Sequence, residues 1–235
     1  MNLLFHPLIV TTFFPLIGVL ILLFMKPGRK DAIRWVALVT SLITFGLSLW
    51  MLTQFTMGEA GIQMEIDKPW IRFSNWTISF HMGVDGLSIL LVMLTTMLTP
   101  ISILSTWSAV EERVKDFMIF FLLLEVGMVG VFVALDLFLF YIFWEFTLVP
   151  MYFLIGVWGG ERRIYAAVKF FLFTMAGSVL MLLAILFLGF QGGSFSLTEL
   201  IANRQAFGAA QIWPAGALQD RRQLRGGSAR RSRRG

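Results

Sequence analysis

The 235-residue chain has no cysteine and two histidines, His6 and His81. Without cysteine there is no disulfide, no thiolate nucleophile and no cysteine-ligated zinc or iron–sulfur site. Two imidazoles are too few for a multi-histidine metal centre. Charge is also scarce: 14% of residues are Asp, Glu, Lys or Arg, against 57% hydrophobic, and the mean hydropathy is +0.79. Soluble domains carry about 25% charged residues, so the composition excludes an ordinary globular protein. The 24 Phe and 8 Trp likewise exclude a disordered chain. No phosphate-binding glycine motif is present, because Gly83-Val84-Asp85-Gly86 lacks the required spacing. No nucleophile–His–acid arrangement can be argued either, so any activity is expected to be vectorial.

The charge that is present is unevenly placed. The formal net charge is +5, with seven arginines and one acid, Asp220, in residues 220–235; residues 1–219 therefore sum to −1. A nucleic-acid partner, which a pI near 10.0 would otherwise suggest, is not expected from a near-neutral apolar body.

Spanning a bilayer takes about 20 predominantly apolar residues. Six segments qualify, at about 3–25, 32–55, 87–107, 117–135, 137–158 and 164–190. They are apolar on every face, unlike helices of a soluble bundle. The fourth and fifth are separated by Asp136 and must form a tight helical hairpin, with Asp136 in a capping role. The first is expected to be a mature helix and not a cleaved leader, because no charge precedes Lys26. The loops after helices one, three and five hold eight basic residues: Lys26, Arg29, Lys30, Arg34, Arg113, Lys115, Arg162 and Arg163. The opposite loops hold three: Lys68, Arg72 and Arg204. The positive-inside rule then places the N-terminus outside.

The long outer loop alternates. Ile62, Met64 and Ile66 interleave with Gln63, Glu65 and Asp67; Trp76, Ile78 and Phe80 interleave with Thr77, Ser79 and His81. This period of two, on both sides of a stretch containing Pro69, predicts a short β-hairpin capping the helices. Trp70 and Trp76 suit the membrane interface. Asp85, followed by Gly86, Leu87 and Ser88, reads as the cap of the third helix.

An ionisable side chain deep in a bilayer costs several kcal/mol and is tolerated where it faces protein or water. Glu125 on helix four, Glu145 on helix five and Lys169 on helix six are such residues. Tyr141, Val149 and Tyr152 share the helical stripe of Glu145. Pro150 removes the backbone bond to the Phe146 carbonyl, leaving a polar, bendable point in mid-membrane. Gly127 and Gly130 flank Glu125 and permit close helix approach. Lys169 is a possible charge partner for the glutamates.

Three stretches carry a family likeness: "DKPWI" (67–71), "HMGVDGLSILLVMLTTMLTPISILSTW" (81–107), and "FFLLLEVGMVGVFVALDLFLFYIFWEFTLVPMYFLIGVWGGERRIYAAVKFFLFTMAGSVLMLLAIL" (120–186). Residues 1–205 resemble chain M, the mitochondrial subunit 4 equivalent, of the proton-pumping NADH:quinone oxidoreductase, respiratory complex I. The resemblance implies an all-α polytopic fold, the first six helices of a 14-helix antiporter-like subunit of the bacterial cytoplasmic membrane. It implies proton translocation driven by quinone reduction elsewhere in the complex. It also implies other membrane subunits as partners and no redox group in this chain; NADH, FMN, iron–sulfur clusters and quinone would be handled by other subunits. The family's fifth-helix glutamate, paired there with a lysine on a broken seventh helix whose pKa its charge tunes during proton translocation, maps onto Glu145. A supporting fourth-helix glutamate maps onto Glu125, and Lys169 falls in the family's Lys-Phe-Phe pattern. Residues 206–235 depart from the family. The arginine-rich stretch "QDRRQLRGGSARRSRRG" is expected to be a disordered, frameshifted tail on a truncated product, beginning between about Ala206 and Gln219. Two other readings are an Mrp-type sodium/proton antiporter subunit, which shares the fold, and a fragment that does not pump.

Overall fold

The computed structural model describes residues 6–56, 58–59, 61–72 and 77–202. Trp76 and the arginine-rich 206–235 segment, for which a role was expected above, lie outside the described residues. Six helices are long and apolar enough to cross a membrane: α1 Pro7–Phe24, α2 Lys30–Gln54, α3 Gly86–Ser105, α4 Val114–Val133, α5 Leu137–Trp158 and α6 Arg163–Gly192. At 1.5 Å per residue α6 is about 45 Å long, enough to cross a ~30 Å hydrocarbon core with tilt. A short α7, Leu197–Ala202, which the sequence did not suggest, follows. Helices α1 to α4 pack together, and α5 and α6 extend the row from α4.

Local chemistry sets the helix ends. Asp85 caps α3: its Oδ1 accepts from the amides of Leu87 (3.1 Å) and Ser88 (2.7 Å), and Ser88 Oγ accepts from the Asp85 amide. These bonds hold the Asp85 carboxyl below the usual carboxylate range, the Ser88 amide contributing most. Gly193, in the left-handed region at φ 73°, ends α6. On the inner side the basic residues that set the orientation also bind backbone carbonyls. Lys115 donates to the Leu23 and Met25 carbonyls at the end of α1, while Arg34 donates to the Val110 carbonyl in the α3–α4 connection and packs over Trp107.

The outer loop forms the expected antiparallel hairpin, β1 Gln63–Arg72 with β2 Thr77–Val84. Two details differ from the sequence expectation. Pro69 is not in the connection; it lies within β1 opposite Ser79, where the pairing shifts register between Pro69 and Ile71. A two-stranded sheet has only edges, so a residue without an N–H is tolerated there. A second shift, with Met64 at φ 53°, interrupts the regular alternation near the start of β1. His81, expected on the polar face, is buried. The last four residues of β2 are covered on both faces, because the strand inserts beside the α4–α5 turn and Met82 bridges to Ala134.

Candidate functional site in the membrane interior

The α4–α5 interface fixes the depth of both glutamates. A Cβ added to Gly127 would stand 2.6 Å from Thr147 Cγ2, and one added to Gly130 would stand 2.2 Å from Phe143 Cδ1. The helices therefore meet where glycine leaves no side chain, as expected from the sequence. This register puts Glu145 level with Met128, about one turn or ~4.5 Å nearer the outer side than Glu125.

Glu145 projects toward α6. Its Oε1 is buried with no hydrogen-bond partner among the described residues. Tyr141, one turn outward, faces both the Glu145 carboxyl and the buried Ser178 hydroxyl of α6. Carboxyl, phenol and hydroxyl form a polar cluster in an otherwise apolar helix pair. Tyr152, expected to extend this stripe, instead packs its ring against Phe153 and Phe171. Aromatic packing across α5 and α6 ends the cluster on that side.

Glu125 projects the other way, into the α1–α4 bundle. It is fully buried, and neither carboxyl oxygen has a hydrogen-bond partner of good geometry among the described residues. Thr99 of α3 faces it, its hydroxyl engaged with the Thr95 carbonyl. Ser48 of α2 and Thr96 of α3 join across the same bundle, Oγ to Oγ1 at 2.8 Å. Pro100, next to Thr99, removes the backbone donor that would otherwise engage the Thr96 carbonyl. Buried, unpaired carboxyl oxygens among hydroxyls and freed carbonyls are the chemistry that internal water satisfies. These hydroxyls were missed at the level of sequence; Thr95, Thr96 and Thr99, spaced three and four apart before a proline, were the available signal.

Lys169 is not brought to either glutamate. The contacts of Tyr152 with Phe171 and of Gly156 with Ala167 set it level with Leu154, roughly 13 Å along the helix from Glu145. It lies on the exposed face of α6, with its Nζ 5.7 Å from the Tyr165 ring centroid. A periodic count along one helix cannot show this, because the neighbour decides which face is inward. Within the described residues Lys169 forms no ion pair.

Asp136 caps α5 as expected, and does more. It is 1% exposed and accepts from the amides of Phe138 (2.9 Å), Leu139 (3.1 Å) and Ser79 of β2 (3.2 Å), tying the helical turn to the hairpin. Burial pushes its carboxyl above the usual range, opposed by those three amides and by the positive potential of His81. Replacement of Asp136 by alanine should lower stability by about 2 kcal/mol, since it orphans a helix cap and a strand amide together, while asparagine should recover most of the loss. Denaturation midpoints of the two variants in micelles measure the difference.

Residues 134–216 match the family model described as the membrane domain of NADH:quinone oxidoreductase/Mrp antiporter. NADH-quinone oxidoreductase subunit M of Rhodobacter capsulatus is 46% identical over 197 residues, 82% of this chain and 38% of that protein. NADH-ubiquinone oxidoreductase chain 4 of Arabidopsis thaliana is 45% identical over 199 residues, 82% of this chain and 40% of that one. Among solved structures, a chain of respiratory complex I from Thermus thermophilus with bound NADH superposes with TM-score 0.69 at 27% identity, over 83% of this chain and 39% of that one. A chain of the Mrp complex from Dietzia shares the fold, with TM-score 0.66 at 19% identity. The chain spans about two fifths of the length of the curated relatives it matches. With six membrane helices, an intramembrane glutamate on each of two adjoining helices and these likenesses, the chain is similar, over about two fifths of their length, to the antiporter-like membrane subunits of NADH:quinone oxidoreductase in the group of subunit M and chain 4.

Proposed function

We propose that this chain contributes to proton translocation by an NADH:quinone oxidoreductase, with Glu145 as the group that takes up and releases the proton. The observation that carries this reading is the Glu145 carboxyl, with one oxygen buried and unpartnered in the membrane interior and Tyr141 and Ser178 beside it. A carboxyl with free hydrogen-bonding capacity next to two hydroxyls can exchange a proton without breaking a structural bond. Glu125 is a supporting group that holds water in the α1–α4 bundle. The counter-charge for Glu145 comes from outside the described residues, since Lys169 faces away; Lys169 is left to pair with a group outside the described chain. In this reading NADH, FMN, iron–sulfur clusters and quinone act in other subunits, which are the partners, and the bacterial cytoplasmic membrane is the location. The sodium/proton antiporter reading has weaker support, because identities near 45% are to oxidoreductase subunits, while the Mrp likeness is one of fold.

We take residues 1–205 as the antiporter-like unit and 206–235 as a separate basic segment, on charge and composition. Complementation tests whether the chain works at this length. Expressed in a strain lacking subunit M, it should co-purify with the NADH-oxidising arm if it assembles, and NADH-driven proton pumping should return if it functions. Co-purification without pumping supports the fragment reading; sodium/proton exchange without the NADH-oxidising arm supports the antiporter.

A further inference from the structure

The outer end of the bundle carries a second titratable system that neither glutamate uses. His81 is 2% exposed, yet both ring nitrogens are engaged. Nε2 lies 2.6 Å from Glu65 Oε1 of β1, and Nδ1 lies 3.3 Å from Ser196 Oγ in the α6–α7 connection. Ser196 Oγ continues to Thr198 Oγ1 at 2.8 Å. Four side chains from three segments thus form one hydrogen-bonded line. Its middle is buried, and its Glu65 end has a side chain 48% exposed. The titratable groups facing His81 are Glu65, its cross-strand partner Asp67 on β1, and the buried Asp136 of the α4–α5 turn. The α6–α7 connection presents the Ser196 hydroxyl and the first turn of α7 the Thr198 hydroxyl.

The donor inventory makes this line reversible. With Glu65 ionised, Nε2 must carry a proton, because a carboxylate only accepts. In the neutral ring Nδ1 is then the acceptor, so Ser196 O–H donates to Nδ1 and Thr198 O–H donates to Ser196 Oγ. In the doubly protonated ring Nδ1–H donates to Ser196 Oγ, and Ser196 O–H turns to Thr198 Oγ1. Both states keep all contacts; only the direction of the hydroxyls changes. A buried histidine in a purely structural role has no need of hydroxyl partners that serve both states.

We propose that His81 is a proton-exchange residue of the outer face, taking up and releasing a proton between the Glu65 carboxylate and the Ser196–Thr198 hydroxyl pair. A proton from water binds Thr198 Oγ1, whose own hydrogen passes to Ser196 Oγ. The Ser196 hydrogen moves to Nδ1, forming imidazolium. The Nε2–H bond then breaks, and that proton joins Glu65, whose carboxyl O–H donates back to Nε2 of the now neutral ring. One proton has been taken up; the half-exposed Glu65 carboxyl swaps its hydrogen with water, and the reverse transfer, to Nε2 and out through Ser196 and Thr198, releases one proton and restores the Nε2–H ring beside an ionised Glu65. This assignment rests on the orientation read from loop charges and is independent of Glu145.

The chain has two histidines, so ¹⁵N-histidine labelling of the full chain in lipid nanodiscs, with His6→Asn in the background, isolates His81. On acidification the ring signals should pass from the Nε2–H pattern to the doubly protonated one, with protection of the hairpin amides unchanged. Exchange of the ring protons with water should slow at least tenfold in Glu65→Gln, less than the about 10²-fold that a positioned proton acceptor supplies because water partly bypasses it, and recover in part in Glu65→Asp. A ring locked in one state until the hairpin itself opens overturns the proposal, and so does exchange unaltered by Glu65→Gln. Should Glu65→Gln loosen the hairpin, Ser196→Ala decides: it leaves the Glu65 contact intact, and unchanged exchange there overturns the proposal. Glu145→Gln should leave ring exchange as it was, so failure of this site and failure of the Glu145 assignment are separately visible.

Discussion

Glu145→Gln should reduce NADH-driven proton translocation at least tenfold in membranes where the chain is assembled, with the amount of assembled complex changed little. Glutamine keeps the size and hydrogen-bonding reach of the side chain but cannot take up or release a proton near neutral pH. The neighbouring Tyr141 and Ser178 hydroxyls remain, so the packing of α5 against α6 is preserved. A tenfold loss corresponds to about 1.4 kcal/mol in the barrier, modest beside the typical contribution of a general acid or base. Glu125→Gln should cost less, within about threefold on the same scale, because Glu125 faces the α1–α4 bundle and not the α5–α6 cluster. Fluorescent-dye measurement of the proton gradient, normalised to NADH oxidation, separates the two variants. Equal losses would mean that the bundle side and the α6 side share one path.

Gly130→Ala should be the most damaging small substitution in the membrane helices. The added methyl would stand 2.2 to 2.5 Å from three atoms of the Phe143 ring, including its attachment carbon, so the ring cannot simply swing aside. Forcing a methyl into a packed interface costs about 1–3 kcal/mol, and the α4–α5 register would slip with it. Gly46→Ala, in α2 with nothing within 4 Å, is the control and should be neutral or stabilising by up to about 1 kcal/mol. Phe143→Leu should restore part of the loss in Gly130→Ala while being destabilising alone. That sign of coupling, read from unfolding of the double-mutant cycle in micelles, identifies the ring as the obstacle. Additive losses would place the strain elsewhere.

What the sequence shows and what it hides follow from the range of the interactions involved. The six membrane helices are legible because length and apolar composition are properties of single segments. The capping roles of Asp85 and Asp136 are legible because a cap accepts from amides two and three residues ahead. The hairpin is legible from its alternation, whereas the position of Pro69 inside β1 depends on where the partner strand ends. Contacts between segments are another matter. The Glu65–His81–Ser196 line joins residues 16 and 115 positions apart, beyond the reach of any spacing rule. Lys169 and Glu145 look like partners on hydropathy alone. Tyr152 against Phe171 and Gly156 against Ala167 separate them, and those pairings are set by the packing of α5 on α6.

The central claim is that Glu145 changes protonation as protons cross. Infrared difference spectroscopy of the assembled complex during NADH oxidation, with ¹³C-glutamate labelling and with Glu145→Gln as the subtraction, observes that carboxyl directly. A protonated-carboxyl signal that appears and disappears with turnover, shifts with the label and is missing in Glu145→Gln is the predicted result. A signal unchanged by Glu145→Gln, with translocation at the unmutated rate, would contradict it.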